Sequence, residues 1–210
     1  LGDITLRAID TLRRADVVLA EDTRQSRVLL THHHIDATLV AAHEHNEAGI
    51  IPKVLARLAR GERVALISDA GTPLISDPGQ RLVRSVWDAG FRVVPIPGPS
   101  ALTAALSAAG LDTARFTFFG FLPRTGRDRR DAIADLSTLA HTGVLYEAPA
   151  RVAETLRELE EAGAGNRRVV VGRELTKRFE EFRRGTVSEL AAYYSTHQPR
   201  GEVVMILAGE

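Results

Sequence analysis

Residues 68 to 79 read Ser-Asp-Ala-Gly-Thr-Pro-Leu-Ile-Ser-Asp-Pro-Gly and follow directly on the apolar run Val64-Ala65-Leu66-Ile67. Gly71 and Gly79 permit positive φ and close backbone approach, while Pro73 and Pro78 fix φ and remove donors, so this loop has a set shape. Asp69 and Asp77 place short acceptors at the carboxyl end of a strand, where open α/β sheets bind ligands. An ordinary strand-to-helix connection explains any single Gly or Pro here, but the density of such residues over the whole stretch points to a ligand loop. A second Gly/Pro element, Pro95-Ile96-Pro97-Gly98-Pro99-Ser100-Ala101, ends another apparent strand and opens a helix. Amides at Ser100 and Ala101 would offer donors to a carboxylate or hydroxyl. A tight turn opening a helix is the plainer alternative.

Four further clusters sit at apparent strand ends. Glu21-Asp22-Thr23-Arg24 could face a ligand, or could simply cap a helix through Asp22 or Thr23. His43-Glu44-His45-Asn46-Glu47 has a His-x-His spacing that could serve a metal, although no thiols or second cluster accompany it and solvated loop histidines fit as well. Tyr146-Glu147-Ala148-Pro149 and Arg173-Glu174-Leu175-Thr176-Lys177 bring polar groups to strand ends in the second half, where buried partnered charges are the bland reading. Arg124, Arg127, Arg129 and Arg130 crowd around Gly126 after the aromatic run Phe118 to Pro123. Guanidinium forks beside aromatic faces suit single-stranded RNA, and a solvated helix start would look the same. The chain has no dinucleotide or P-loop glycine pattern and no nucleophile elbow, which disfavours a Rossmann oxidoreductase, an NTPase and a triad hydrolase.

Composition narrows the setting. The chain has 27 basic and 27 acidic residues, so no global field draws it to nucleic acid or membrane and any polyanion site must be local. Zero cysteines exclude disulfides, zinc-thiolate sites and thiol catalysis, and fit a reducing compartment. No apolar run is long enough to span a bilayer and no basic-then-apolar leader opens the chain, which makes a soluble cytoplasmic protein the expectation. The chain opens at Leu1 and its one methionine is Met205, which predicts that native residues precede Leu1.

The elements that must position these residues alternate. Apolar runs at 17–20, 38–41, 63–67 and 92–95 are separated by amphipathic segments, the βαβ pattern. The run at 63–67 lacks alternation and predicts a strand covered on both faces. Ile51, Val54, Leu55 and Leu58 form a helical stripe, and an Ala-rich helix is bracketed by Ser100 as N-cap and Gly110 as C-cap. Strands are predicted at 116–119, 143–146, 168–172, 180–184 and 202–207, with helices near 128–140, 151–162 and 186–195. The expected organisation is an N-terminal α/β domain over 1–110 with the Gly/Pro loops and a mixed α/β domain over 111–210.

Together these residues resemble the bacterial 16S rRNA 2′-O-ribose methyltransferase I family, a branch of the tetrapyrrole-methylase-like S-adenosylmethionine enzymes. The resemblance spans the whole chain and rests on Leu1 to Ala8, Glu21 to Arg24, His43 to Glu47, the 68–79 loop, Pro95 to Leu102, Phe119 to Pro123, Tyr146 to Pro149 with Arg151, and Arg173 to Lys177. Two departures stand out. The family's Thr-Pro-Ile-Gly-Asn before Leu-Gly-Asp lies outside this sequence, and Ala150 stands where the family usually has His.

The resemblance implies an α/β fold of two α/β domains with a cofactor cleft between them. It also implies methyl transfer from S-adenosylmethionine to the ribose of a decoding-centre cytidine in 16S rRNA, within the small ribosomal subunit, by a cytoplasmic homodimer. Implied cofactor contacts are Asp69, Ala70, Gly71, Ile75, Pro78, Ser100, Ala101, Tyr146 and Glu147. Glu21, Asp22, His43 and Glu147 are the candidate bases or hydroxyl orienters, and no metal is expected. Arg24 joins Arg124, Arg127, Arg129 and Arg130 as RNA contacts. A tetrapyrrole methylase of the same fold, a non-catalytic RNA-binding module and a nucleotide-binding enzyme are the alternatives. The first would enclose its substrate in an apolar trough, the second would not need two shaped loops, and the third would need a phosphate motif.

Overall fold

A computed structural model describes all of residues 1–210, which form two compact units, Leu1–Ser100 and Ala101–Glu210. The division falls ten residues before the break expected from the sequence, because the Ala-rich helix packs with the second unit.

In the first unit the chain runs α1 (Leu6–Arg14), β1 (Val17–Ala20), α2 (Thr23–His32), β2 (Leu39–Ala41), α3 (Glu47–Ala59), β3 (Val64–Ile67) and α4 (Gln80–Asp88). The strands form a parallel sheet in the order β2-β1-β3. Every residue of β1 is buried, and its side chains alternate between two cores. Val17 and Leu19 join Ile50, Val54, Leu82 and Val86 from α3 and α4, while Val18 joins Leu12, Leu30 and Ile35 on the opposite face. The strand covered on both faces is therefore β1. β3, which the sequence singled out for that role, is an edge strand of the ladder and only half-buried.

The strand expected at 92–95 does not form. Phe91 and Val93 do turn into the α3–α4 core while Val94 points out at 54% exposure, so the period-two pattern is real. No ladder uses it, and Pro95, Pro97 and Pro99 have no N–H to give one.

The second unit comprises α5 (Ala101–Ala109), β4 (Phe116–Phe121), α6 (Gly126–Ser137), β5 (Thr142–Glu147), α7 (Val152–Leu159), β6 (Arg168–Arg173), β7 (Glu181–Thr186), α8 (Val187–Tyr194) and β8 (Val203–Leu207). Its sheet has the order β4-β5-β8-β6-β7, with β4 parallel to β5 and the other pairs antiparallel. One face carries Leu145, Val169, Val171, Met205 and Leu207 against α6, α7 and α8. The other carries Val144, Val170, Val204 and Ile206 against Ala105, Leu106 and Ala109 of α5. Both faces of the central strands are covered, which is why their sequences are runs of Val, Ile and Leu. No helix is long and apolar enough to cross a membrane.

Candidate active site

Ladder register brings three of the sequence clusters together. Ala20 of β1 pairs with Ala41 of β2 and with Ile67 of β3, so the residues just beyond each emerge side by side: Glu21 and Asp22, then His43, then Ser68 and Asp69. The backbone N–H of Asp22 donates to Asp69 Oδ1 at 3.1 Å, which ties two of these ends directly.

Within the cluster the acids differ sharply. Asp22 Oδ1 accepts from the backbone N–H of Arg24 at 2.8 Å as the N-cap of α2, and the Arg24 guanidinium reaches Oδ2 at 2.7 Å. Those Arg24 bonds hold the Asp22 carboxyl at about 2. Arg24 itself is an exposed cation already engaged by Asp22, its side chain 90% accessible. Glu21 is half-buried and makes no hydrogen bond or ion pair. Burial raises its pKa first, the charges of Asp69, Asp77 and Asp22 raise it further, and His43 alone opposes them.

Asn46 shapes the next strand end. Its Oδ1 accepts from the N–H of His43 at 2.9 Å and its Nδ2 donates to Ala41 O at 3.0 Å, so the turn that presents His43 is held by one amide. His43 Nδ1 is buried without a partner. The His43 and His45 rings lie edge to face, 6.1 Å between centroids. No group of three or more His, Cys, Asp or Glu side chains is placed to hold a metal ion.

The 68–79 loop adopts left-handed backbone at four places: Gly71 at φ +84, Leu74 at +73, Ser76 at +64 and Gly79 at +124. Leu74 and Ser76 carry side chains there, a strained conformation of the kind that gathers at functional loops. Thr72 Oγ1 donates to Pro99 O at 2.9 Å and Thr5 Oγ1 to Pro97 O at 3.0 Å, so the first Gly/Pro loop leans on the second and α1 is fastened to it. A Cβ on Gly71 would face the second loop, its nearest neighbour Pro99 O at 3.7 Å. At the far end Glu47, 92% buried, accepts from the N–H of Leu82 at 2.9 Å and so caps α4. Asp69, Ala70, Gly71 and Ile75 are exposed along this loop, with Asp77 and Pro78 half-buried behind them.

In the second unit the sequence candidates separate. The Tyr146 hydroxyl accepts from the N–H of Leu102 at 3.1 Å in the first turn of α5, and its ring packs edge to face on Phe118 and Phe121. Glu147 is 2% exposed. Its oxygens accept from Thr155 Oγ1 at 2.6 Å and from the N–H of Ala148 at 2.9 Å, so it is a core anion with no route to a substrate hydroxyl.

Its counter-charge is Arg129, expected at the RNA surface but in fact 3% exposed. The guanidinium lies 3.9 Å from Glu147 and forms hydrogen bonds to Thr155 Oγ1 at 2.9 Å, Glu158 Oε1 at 3.1 Å and Pro123 O at 3.2 Å. Arg129, Ile133 and Leu136 fall at i, i+4 and i+7 on α6, so Arg129 extends the buried stripe by one turn. That spacing is the signal the sequence offers. Arg124, Arg127 and Arg130 are exposed as expected, Arg127 with Asp131 at 3.4 Å. Thr155 and Glu158 are partners that sequence reasoning missed. Arg151, in the sequence no more than part of a motif, donates to Pro123 O at 3.2 Å and Arg124 O at 2.9 Å and pins the loop that carries Arg124.

The family model described as Tetrapyrrole (Corrin/Porphyrin) Methylases matches residues 1–191. Among curated proteins, the Ribosomal RNA small subunit methyltransferase I of Mesorhizobium japonicum is 52% identical over 206 residues, covering 98% of this chain and 70% of that protein. The protein of the same name from Thermotoga maritima is 43% identical over 210 residues, covering all of this chain and 94% of its own. Among solved structures, the cobalt precorrin-4 methyltransferase superposes with a TM-score of 0.74 at 21% identity, covering 99% of this chain and 89% of that one. Uroporphyrin-III-C-methyltransferase from Thermus thermophilus gives 0.68 at 21% identity, with 99% and 88% covered. At those identities the structures establish the shared fold, and the sequence relatives place the chain within it. The chain belongs to the tetrapyrrole methylase family, in the branch formed by the ribosomal RNA small subunit methyltransferases I.

Proposed function

We propose that the protein transfers a methyl group from S-adenosylmethionine to the 2′-hydroxyl of a decoding-centre cytidine in 16S rRNA. The observation that carries this reading is the cluster of register-matched strand ends beside two interlocked Gly/Pro loops, in a chain whose relatives are ribosomal RNA small subunit methyltransferases. The first unit suits the donor. Asp69 and Asp77 bring negative charge that complements a sulfonium and an ammonium group, and Gly71 offers a ligand bare backbone.

When bound, S-adenosylmethionine supplies a methyl already activated by the positive sulfur. What remains for the chain is to hold the two reactants in line, excluding water, and to accept one proton. Asp69, Ala70, Gly71, Ile75, Pro78 and Ser100 are the proposed donor contacts in the first unit, with Ala101 and Tyr146 in the second. Glu147, enclosed by Thr155 and the N–H of Ala148, supports the turn after Tyr146 and does not contact the donor. Arg124, Arg127 and Arg130 are exposed cations suited to RNA phosphates, and Arg24 is a fourth.

The same reading makes the protein a cytoplasmic homodimer acting on 16S rRNA within the small subunit. Exposed Leu6, Val28, Trp87 and Val94 on the first unit give a second copy apolar surface to cover, and sedimentation equilibrium tests that assembly. Incubation with methyl-labelled S-adenosylmethionine and either isolated small subunits or tetrapyrrole precursors tests the reaction. Label in 16S rRNA at a ribose supports it, and label in the precursors assigns the protein to small-molecule methylation instead.

A further inference from the structure

We propose that Glu21 is the general base that removes the proton from the ribose hydroxyl, an assignment that rests on the ribose-methylation reading above. Four side chains at strand ends were open to this role, and the structure separates them. Asp22 has both carboxylate oxygens engaged by Arg24 and serves as a helix cap. Glu147 is enclosed by Thr155, Arg129 and its own turn. The His43 turn is fixed by Asn46 and its Nδ1 is buried without a partner, which leaves a single ring nitrogen for that role. Glu21 has neither a hydrogen-bond partner nor a cation pair, and it stands between the strand ends that bear His43 and Asp69.

The surroundings of Glu21 favour proton uptake. Asp69 and Asp77 on the loop after β3 and Asp22 beside it repel its charge, partial burial adds to that repulsion, and only His43 from the β2 side counters it. A proton arriving on Glu21 relieves the repulsion, so a carboxylate that would be a feeble base in water becomes a more effective one here. In the transfer, Glu21 takes the hydroxyl proton while the oxygen lone pair forms the new O–C bond to the methyl carbon. The electron pair of the broken S–C bond stays on sulfur, which leaves as a neutral thioether. Glu21 is half-buried and not sealed, so it can then return its proton to water.

The test has two arms. In the protein alone, carbon-13 carboxyl NMR should find Glu21 titrating above an ordinary glutamate, and D77N should move it down. In single-turnover methylation of small subunits with donor saturating, E21Q should lose roughly 10²–10⁴-fold in rate, E21D should recover part of it, and donor affinity by calorimetry should stay within about threefold. The acidic limb of the pH–rate profile should shift to lower pH in D77N, a movement that a purely structural role for Glu21 would not produce. A rate for E21Q within about threefold of wild type overturns the assignment, as does an unmoved limb in D77N. A large loss in H43A with none in E21Q transfers the role to His43. Wild type that leaves small subunits unmethylated overturns the reaction reading, and with it the role of Glu21, whatever the NMR arm shows about the carboxyl.

Discussion

The strand-end acids of the first unit and the buried acid of the second are built from the same residue types and end in opposite states. Around Glu147 every charge is answered: Thr155 and a backbone N–H take its oxygens, and Arg129 lies between it and Glu158. Around Glu21 three aspartates gather with one histidine and no guanidinium touches the carboxylate. A buried ion pair that is complete can only hold structure, because removing water from two charges costs several kcal/mol per ion that must be offset by fixed partners. An incomplete cluster at the carboxyl end of a sheet leaves groups whose charge a ligand or a proton can still satisfy. The difference separates scaffold from candidate chemistry better than residue type does.

The largest expected effect comes from breaking the complete set. Arg129→Ala should strand the Glu147 charge and cost the fold about 3–5 kcal/mol, read by urea unfolding. Replacing Arg129 and Glu147 together by apolar residues of similar volume should cost much less. A small loss from the single substitution would mean that the network is looser than its distances imply.

A second substitution tests the open side. Gly71 lies at φ +84 with its missing Cβ facing the second Gly/Pro loop at Pro99 O, so Gly71→Val should abolish measurable S-adenosylmethionine binding in calorimetry. The left-handed backbone would add a stability cost of about 1–2 kcal/mol. Unchanged donor affinity would remove this loop from the site.

A third experiment sharpens the division among the arginines. Changing Arg124, Arg127 and Arg130 together to Ala should leave stability almost unaltered while flattening the dependence of log RNA affinity on log salt, by roughly 0.7 for each phosphate that the arginines neutralise. A slope equal to wild type would make these residues a solvated helix start.

The smallest effect is on pH dependence of folding. Because the native environment raises the Glu21 pKa above its unfolded value, the stability this group contributes is present below that unfolded value and is lost as pH rises through the native one. E21Q should therefore match wild type in acid and become slightly more stable toward neutrality, the difference kept modest by solvent at a half-exposed site. Asp22 has the opposite sign: the stability tied to its ionisation is present above the unfolded value of 3.8 and is lost as pH falls toward about 2.

Much of the fold was legible. The 17–20 strand matches the sequence reading residue for residue, and the five strands of the second half lie within about two residues of their expected ends. What escaped was long-range. The half-buried Val64–Ile67 edge and the fully buried Val17–Ala20 strand look alike as strings, because coverage depends on which helices pack where. The 92–95 segment carries a strand pattern, but a ladder needs a neighbour as well as a pattern. At the site, the strand-end clusters and Gly/Pro loops were visible because they are local. The burial of Glu147 and Arg129 was hidden because their partners lie 8 and 26 residues away on α7.

The paired alanines and isoleucine that close the first sheet, Ala20 with Ala41 and Ile67, have a consequence for how the protein can vary. Rungs of this kind act as a ruler: each residue along a strand advances about 3.3 Å and reverses the direction of the side chain. One residue inserted within β2 would carry His43 out of step with Glu21 and turn its ring toward the wrong side, with every chemical group in the cluster still present. Between β1 and β2 a change of length is better borne in the 33–38 connection, clear of the buried Ile35, whereas inside the strands the site tolerates substitution far better than it tolerates a change of phase.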